Sequence, residues 1–435
     1  MTIDQAAPVS QSERIVLLDS LRGIAILGIL LMNIPGFGLP EPVYRDPSVL
    51  NEWGSINFNT WYFIEFFPEG SQRALFSMLF GAGIILFLSR QEKKNEGLWP
   101  ADYFFRRQLW LLVFGLFNAY VLLWMWDILF HYACIGMIMF TFRRLSPKGL
   151  LIAAFICLLL QTVRENVDIY RDKKVITKGE LIAKIDTTVT KLTDQQKEEL
   201  GAMTGFKEKS TQKEKLKKME KSTKSVRGDY LGFYEYQSER SFRTEVFYLY
   251  YMAWDILLFM FLGMAFYKTG IIQGQASSKI YWVLFVGGLG IGLLLSYFRL
   301  KPLIDYKFNE FDYIKNVQFE FYELSRAFRS IGIFGLIMLL YKSGWFKWFF
   351  ALLRPVGQMA FTNYLMQSLL VGLFFYGVGF GMFGKLERYE IYYVVGGTWL
   401  LQIIWSHIWL RFFRFGPLEW CWRSLTYWKR QPFVK

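Results

Sequence analysis

Apolar runs of roughly 18 residues, each long enough to cross a hydrocarbon core of about 30 Å, recur along the chain between polar stretches. They predict membrane helices near residues 15–34, 73–88, 104–124, 128–142, 149–163, 246–267, 280–298, 324–341, 356–376 and 391–413. The predicted fold class is all-α, a polytopic transmembrane helix bundle of about ten spans. Residues 57–67 are aromatic but too short to span and predict an interfacial or re-entrant piece; residues 345–353 predict a second interfacial helix.

Charge in the short loops gives the chain a direction. Residues 35–72 hold Glu41, Asp46, Glu52, Glu65 and Glu69 against Arg45, whereas residues 90–107 hold Arg90, Lys93, Lys94, Arg106 and Arg107. Arg143, Arg144 and Lys148 mark a second basic turn, and the tail ends with Lys429, Arg430 and Lys435. Cytoplasmic loops collect Lys and Arg, so the alternation predicts both termini in the cytoplasm of a plasma membrane, the bacterial inner membrane. Residues 164–245 break the rhythm: they are rich in Lys and Glu, with helical stretches near 180–201 and 207–224. The expected organisation is N-terminal membrane helices (1–163), an extracytoplasmic charged helical insertion (164–245), and a C-terminal membrane domain with a basic cytoplasmic tail (246–435). The insertion reads as a solvated helical hairpin or a partly disordered segment, with a lid or docking module as the alternative.

Composition narrows the function. Hydrophobic residues make up 53% of the chain and aromatics 19%, as expected of a protein whose partners are membrane lipids. The net charge of +14 is spread over short loops, which argues against a nucleic-acid partner. Three cysteines and two histidines show no spacing suited to a disulfide framework or a metal, so no metal ligands are assigned. Asp4 and Glu13 precede the first apolar run, which reads as a retained helix and not a cleavable signal. Gly288 and Gly292, four apart, predict close helix packing.

Ionisable groups inside spans are costly and call for partners. Asp19 and Arg22, three apart, share a helical face near the cytoplasmic end. They form either a structural ion pair or a cytoplasm-facing anion site that would bind a cofactor phosphate. Asn33, at the far end of that helix, would cap it or contact substrate. Asp127 and His131, four apart, would bring a carboxylate beside an imidazole, the arrangement a general base needs; the plainer alternative is a helix cap and a packed histidine. Asn363 and Gln367 put two amides on one face of an apolar helix, for interhelical bonds or for lining a polar substrate cavity. In the tail, Glu419 and Arg423 follow Gly416-Pro417 and suit a structural interface helix. His407 reads as a packed histidine.

These stretches together resemble the YeiB family, whose C-terminal domain is one of unknown function. The matches are Leu18-Asp19-Ser20-Leu21-Arg22-Gly23 with Asn33, Asp127-Ile128-Leu129 with Tyr132-Ala133, Leu262-Gly263-Met264-Ala265, Thr362-Asn363-Tyr364-Leu365 with Gln367-Ser368, and Gly416-Pro417-Leu418-Glu419-Trp420 with Arg423. The first motif also resembles transmembrane acyltransferases, both OafA-like O-acyltransferases and heparan-α-glucosaminide N-acetyltransferase. That resemblance implies transfer of an acyl group from cytoplasmic acyl-CoA, the only cofactor expected, to an extracytoplasmic glycan or lipid acceptor. Arg22 and Asp19 would hold the donor, and His131 with Asp127 would serve the acceptor. OafA-like enzymes carry a histidine where this chain has Asn33, and residues 35–72 contain none, which leaves His131 as the outward-side histidine. The rival expectation is a transporter or a lipid- or solute-binding protein on the same scaffold; a homodimer is compatible with either.

Overall fold

The computed structural model describes residues 16–435, so the expectation resting on Asp4 and Glu13 lies outside the described residues. The chain runs through α1 (Val16–Gly38), α2 (Glu41–Arg45), α3 (Ile56–Phe66), α4 (Ser71–Lys94), α5 (Trp99–Tyr120), α6 (Leu129–Met139) and α7 (Pro147–Ile182). Next come α8 (Asp194–Lys209), α9 (Gln212–Val226), α10 (Tyr230–Phe242), α11 (Tyr248–Lys268), α12 (Ser278–Val283) and α13 (Leu289–Asp305). The rest is α14 (Glu310–Asn316), α15 (Tyr322–Ser343), α16 (Lys347–Gln358), α17 (Ala360–Phe375), α18 (Ile391–Phe412) and α19 (Pro417–Tyr427). Short π-helical turns join α10 to α11 and α12 to α13.

Among the described residues, six helical segments are long and apolar enough to cross a membrane: Val16–Gly38, Ile56–Lys94, Pro147–Ile182, Tyr230–Lys268, Ser278–Asp305 and Tyr322–Ser343. Leu129–Phe142 and Ala360–Phe375 are shorter apolar helices. Val16–Gly38 is 72% buried over its apolar window, whereas Ser278–Asp305 is 22% buried and presents Trp282, Val283, Val286 and Leu294 outward. Water would not tolerate so large an apolar face on a folded chain, and a bilayer does. The molecule is a helical membrane protein.

Three boundaries differ from expectation. The span expected at 149–163 is part of a 36-residue helix, about 54 Å at 1.5 Å per residue. Between Gly149 and Gly179 nothing breaks helical geometry, so the helix passes straight into the charged insertion. The stretch expected at 180–201 is interrupted, and α8 restarts behind a capping box in which Thr193 and Gln196 satisfy each other's backbone N–H. The span expected at 356–376 is broken at Met359 into α16 and α17.

Glycine sets the closest crossing of the core. A Cβ on Gly357 of α16 would collide with the Asp19 carbonyl of α1, and one on Gly23 with the Leu353 carbonyl. The two backbones meet with no side chain between them. This contact pulls the Asp19–Arg22 turn against the α16–α17 break. Gly288 and Gly292 do the same against α15, where added Cβ atoms would strike the backbone around Gly332 and Arg329. α9 packs on α2 and α10 on α5, and Val226 and Phe233 of the insertion join Phe37, Phe375 and Tyr376 in one buried cluster at the ends of α1 and α17; we call this the insertion end, and the opposite one the basic end.

Candidate functional site

At the basic end α1, α4, α5, α17 and α19 enclose a cavity of about 270 Å³. One stripe of α4 lines it from Phe76 to Gln91, a length of about 22 Å along the helix. The cavity is therefore a narrow channel. Arg22, Arg90, Arg107 and Arg423 line its basic part, with Asp19 and Glu419; Leu129, Tyr132, Phe76 and Tyr364 line its far, closed part. The middle is walled by Leu79, Phe80, Ile84, Phe87 and Leu111.

Each mouth residue is held in place. Arg22 pairs with Asp19 at 2.9 Å, as their spacing predicted, while the second Asp19 oxygen is buried without a hydrogen-bond partner. The Arg107 guanidinium lies 3.8 Å over the Trp422 ring, whose indole N–H donates to the Arg107 carbonyl at 2.9 Å. Arg423 packs over Phe415. The Glu419 carboxylate accepts from Phe361 N (2.7 Å), Thr362 N (3.0 Å) and the Thr362 hydroxyl (2.5 Å). It thus caps α17 from another helix, where the backbone presents unpaired N–H groups and positive potential. Burial pushes the Glu419 carboxyl up from its ordinary range, opposed by those hydrogen bonds. Gln108, nearly fully buried, leaves its carbonyl oxygen without a partner beside the channel.

The Asp127–His131 constellation takes another form. Asp127 stands at the start of α6 and its carboxylate folds back to the Phe130 N–H at 2.9 Å, so it cannot also reach the side chain four residues on. It also accepts from Asn118 Nδ2 (2.8 Å) and the Tyr364 hydroxyl (3.1 Å). His131 Nδ1 meets the Asp127 carbonyl at 3.1 Å and Nε2 the Thr244 carbonyl at 3.2 Å. Fully buried, the imidazole does not line the channel. The expected carboxylate–imidazole contact is therefore not formed.

The remaining candidates knit helices together. Asn363 donates to the Val356 carbonyl (3.0 Å) and Ser406 Oγ (3.1 Å) and accepts from Trp405 Nε1 (2.7 Å). Gln367 donates to the Ile26 carbonyl (3.1 Å) and Gln402 Oε1 (3.0 Å). Both lie outside the channel lining, as does Asn33, and α1 continues past Asn33 through Pro35 to Gly38. His407 Nδ1 meets the Ile403 carbonyl at 2.9 Å, in keeping with a packed histidine.

A second charged cluster lies toward the insertion end. Arg326 and Arg73 share Asp255 at 2.7 and 3.1 Å, Arg326 also pairs with Glu323, and Arg299 meets Glu65 at 3.0 Å. Arg329, fully buried, donates to the carbonyls of Glu65, Phe66 and Glu69 and to Ser296 Oγ at 2.6–3.0 Å, and pairs with the Glu69 carboxylate at 3.2 Å. The sequence reading did not single out this cluster. Asp255, Arg326 and Arg329 all lie within predicted spans, and a charge there calls for a partner.

Residues 266–429 match the family described as "Protein of unknown function (DUF418)". Across nearly its whole length the chain is similar to "Uncharacterized protein YxaH" of Bacillus subtilis (strain 168), 30% identical over 98% of each chain. It is similar also to "Uncharacterized protein YeiB" of Escherichia coli (strain K12), 29% identical over 95% of this chain and 96% of that one. No solved structure matches it. Similarity that runs from the first helix to the tail, with the DUF418 match over its C-terminal part, means that the chain belongs to the YeiB family.

Proposed function

We propose that this protein takes acyl-CoA into the channel from the cytoplasm and passes the acyl group toward an extracytoplasmic glycan or lipid acceptor. The observation that carries the reading is the channel's polarity: four arginines at one part and an apolar interior that runs along about 16 Å of α4, from Phe76 to Phe87. Guanidinium forks match phosphate oxygens, and the apolar bore suits the chain such a head trails. The reading places the basic end in the cytoplasm of the bacterial inner membrane, with about ten spans and both termini inside. α5 and α18, each 22 residues long, and the two shorter apolar helices would complete the six long spans.

The sealing of His131 favours a second reading, a non-enzymatic carrier or binding protein for the same kind of ligand. Sealed inside-out vesicles supplied with acyl-labelled CoA separate the two. Label appearing on luminal acceptor supports transfer; acyl-CoA binding without transfer supports the carrier; absence of binding overturns both. Orientation is tested by cysteine labelling from outside, which should reach sites in 35–59 and 178–224 and not in 90–100 or 428–435.

A further inference from the structure

Two tyrosines close the far part of the channel, and their hydroxyls differ in one respect. The Tyr132 hydroxyl bonds Ser77 Oγ at 2.7 Å and the Arg73 carbonyl at 3.2 Å, neither of which can take its proton. The Tyr364 hydroxyl donates to the Asp127 carboxylate at 3.1 Å and accepts from the Ile128 N–H at 3.3 Å. Asp127 is itself fixed by Asn118 and by the Phe130 N–H, on the far side of Tyr364 from the ligand space. Tyr364 therefore joins the channel lining to a buried proton acceptor.

Resting on the acyl-transfer reading above, we infer that Tyr364 is the catalytic acid–base group at the closed end of the channel and that Asp127 is its positioning residue and proton store. In the step this geometry serves, the acceptor oxygen attacks the thioester carbonyl carbon. As the new C–O bond forms, the acceptor's proton passes to the Tyr364 oxygen and the Tyr364 proton moves to Asp127. The C–S bond then breaks with its electron pair on sulfur, and the proton returns from Asp127 through Tyr364 to give the free thiol. Thioester and alcohol become ester and thiol with no further reactant. Phe37, stacked on Trp124 at 3.7 Å, and Tyr376 beside it pack in the apolar cluster next to the turn that carries Asp127.

The test uses the full chain in liposomes of total bacterial lipid, with acetyl-CoA as donor probe and N-acetylglucosamine added as acceptor. Thiol release and acetyl-CoA binding are measured together. Tyr364→Phe keeps the ring in its packing and should lower the thiol-release rate by roughly two to four orders of magnitude, the range for loss of an acid–base group, with binding unchanged. Asp127→Asn retains an acceptor for the Tyr364 hydroxyl but cannot take its proton, and should lower kcat with KM unchanged. It serves as the second variant if Tyr364→Phe fails to fold. Wild-type-like release in the folded variant overturns the inference and leaves acyl transfer standing. Binding by the wild type without thiol release also overturns it, in favour of a carrier. No acetyl-CoA binding by the wild type would instead overturn the proposed function itself.

Discussion

At the insertion end, Arg73, Arg164, Arg299, Arg326 and Arg329 meet Asp255, Glu65, Glu69 and Glu323 in direct ion pairs. At the basic end, Arg22, Arg90, Arg107 and Arg423 border a channel with Asp19 and Glu419, and Glu419 is already committed to capping α17. The residue chemistry is the same and the surroundings differ. Desolvated charges in a packed core persist when each finds its counterion within the fold, and such a cluster ties helices together. Arginines arranged round a cavity put positive charge on its wall, where an anionic ligand is drawn. The first cluster is thus read as architecture and the second as a binding site.

Variants that treat the two clusters alike should separate them. The largest effect is expected of Arg326→Met. It leaves Asp255 and Glu323 buried without their shared cation and should cost about 3–5 kcal/mol, seen as aggregation or a collapsed melting transition in detergent. Next is Gly83→Leu. Gly83 lines the channel, and an added Cβ there would meet only the tip of Arg22, 4.0 Å away. The larger side chain would block the bore, abolishing acyl-CoA binding, while removal of a helix-interior glycine favours the helix by about 0.5–1 kcal/mol. Binding and melting measured on the same sample would show the two moving apart. Arg107→Ala should weaken acyl-CoA binding by roughly 10- to 100-fold, as loss of a charged hydrogen bond of about 1.5–3 kcal/mol implies, with little change in melting. The smallest effect is expected of Lys301→Ala, which removes the exposed pair with Asp305. Surface pairs contribute little, so neither binding nor melting should change measurably.

Much of the bundle is legible in the chain because membrane helices are written as apolar runs. What escaped has physical reasons. The break at Met359 carries no helix-stop signal strong enough to separate it from the apolar run that follows, and what stabilises it is Glu419, 60 residues later, capping the exposed N–H groups of α17. The length of α7 was hidden because Arg164, Glu165 and Asp168 mark where the apolar run stops, while the helix, lacking any glycine or proline there, continues. The Asp19–Arg22 pair and the tail helix carrying Glu419 and Arg423 were each visible locally. Their meeting round one channel was not, because Arg90 and Arg107 read equally well as ordinary cytoplasmic loop charge. The side-chain pairing expected of Asp127 and His131 failed because a residue at a helix start spends its carboxylate on the first backbone N–H groups. Asp255 shows the opposite case: a carboxylate inside an apolar run was readable evidence of a buried cation partner.

The most direct test is a cryo-electron microscopy structure of the full chain at saturating acyl-CoA. The account predicts ligand density along α4 from Arg90 to Phe76, phosphate oxygens within hydrogen-bond distance of Arg22, Arg107 and Arg423, and the thioester at Tyr364. Ligand bound elsewhere, or a channel unchanged at saturating ligand, would contradict it.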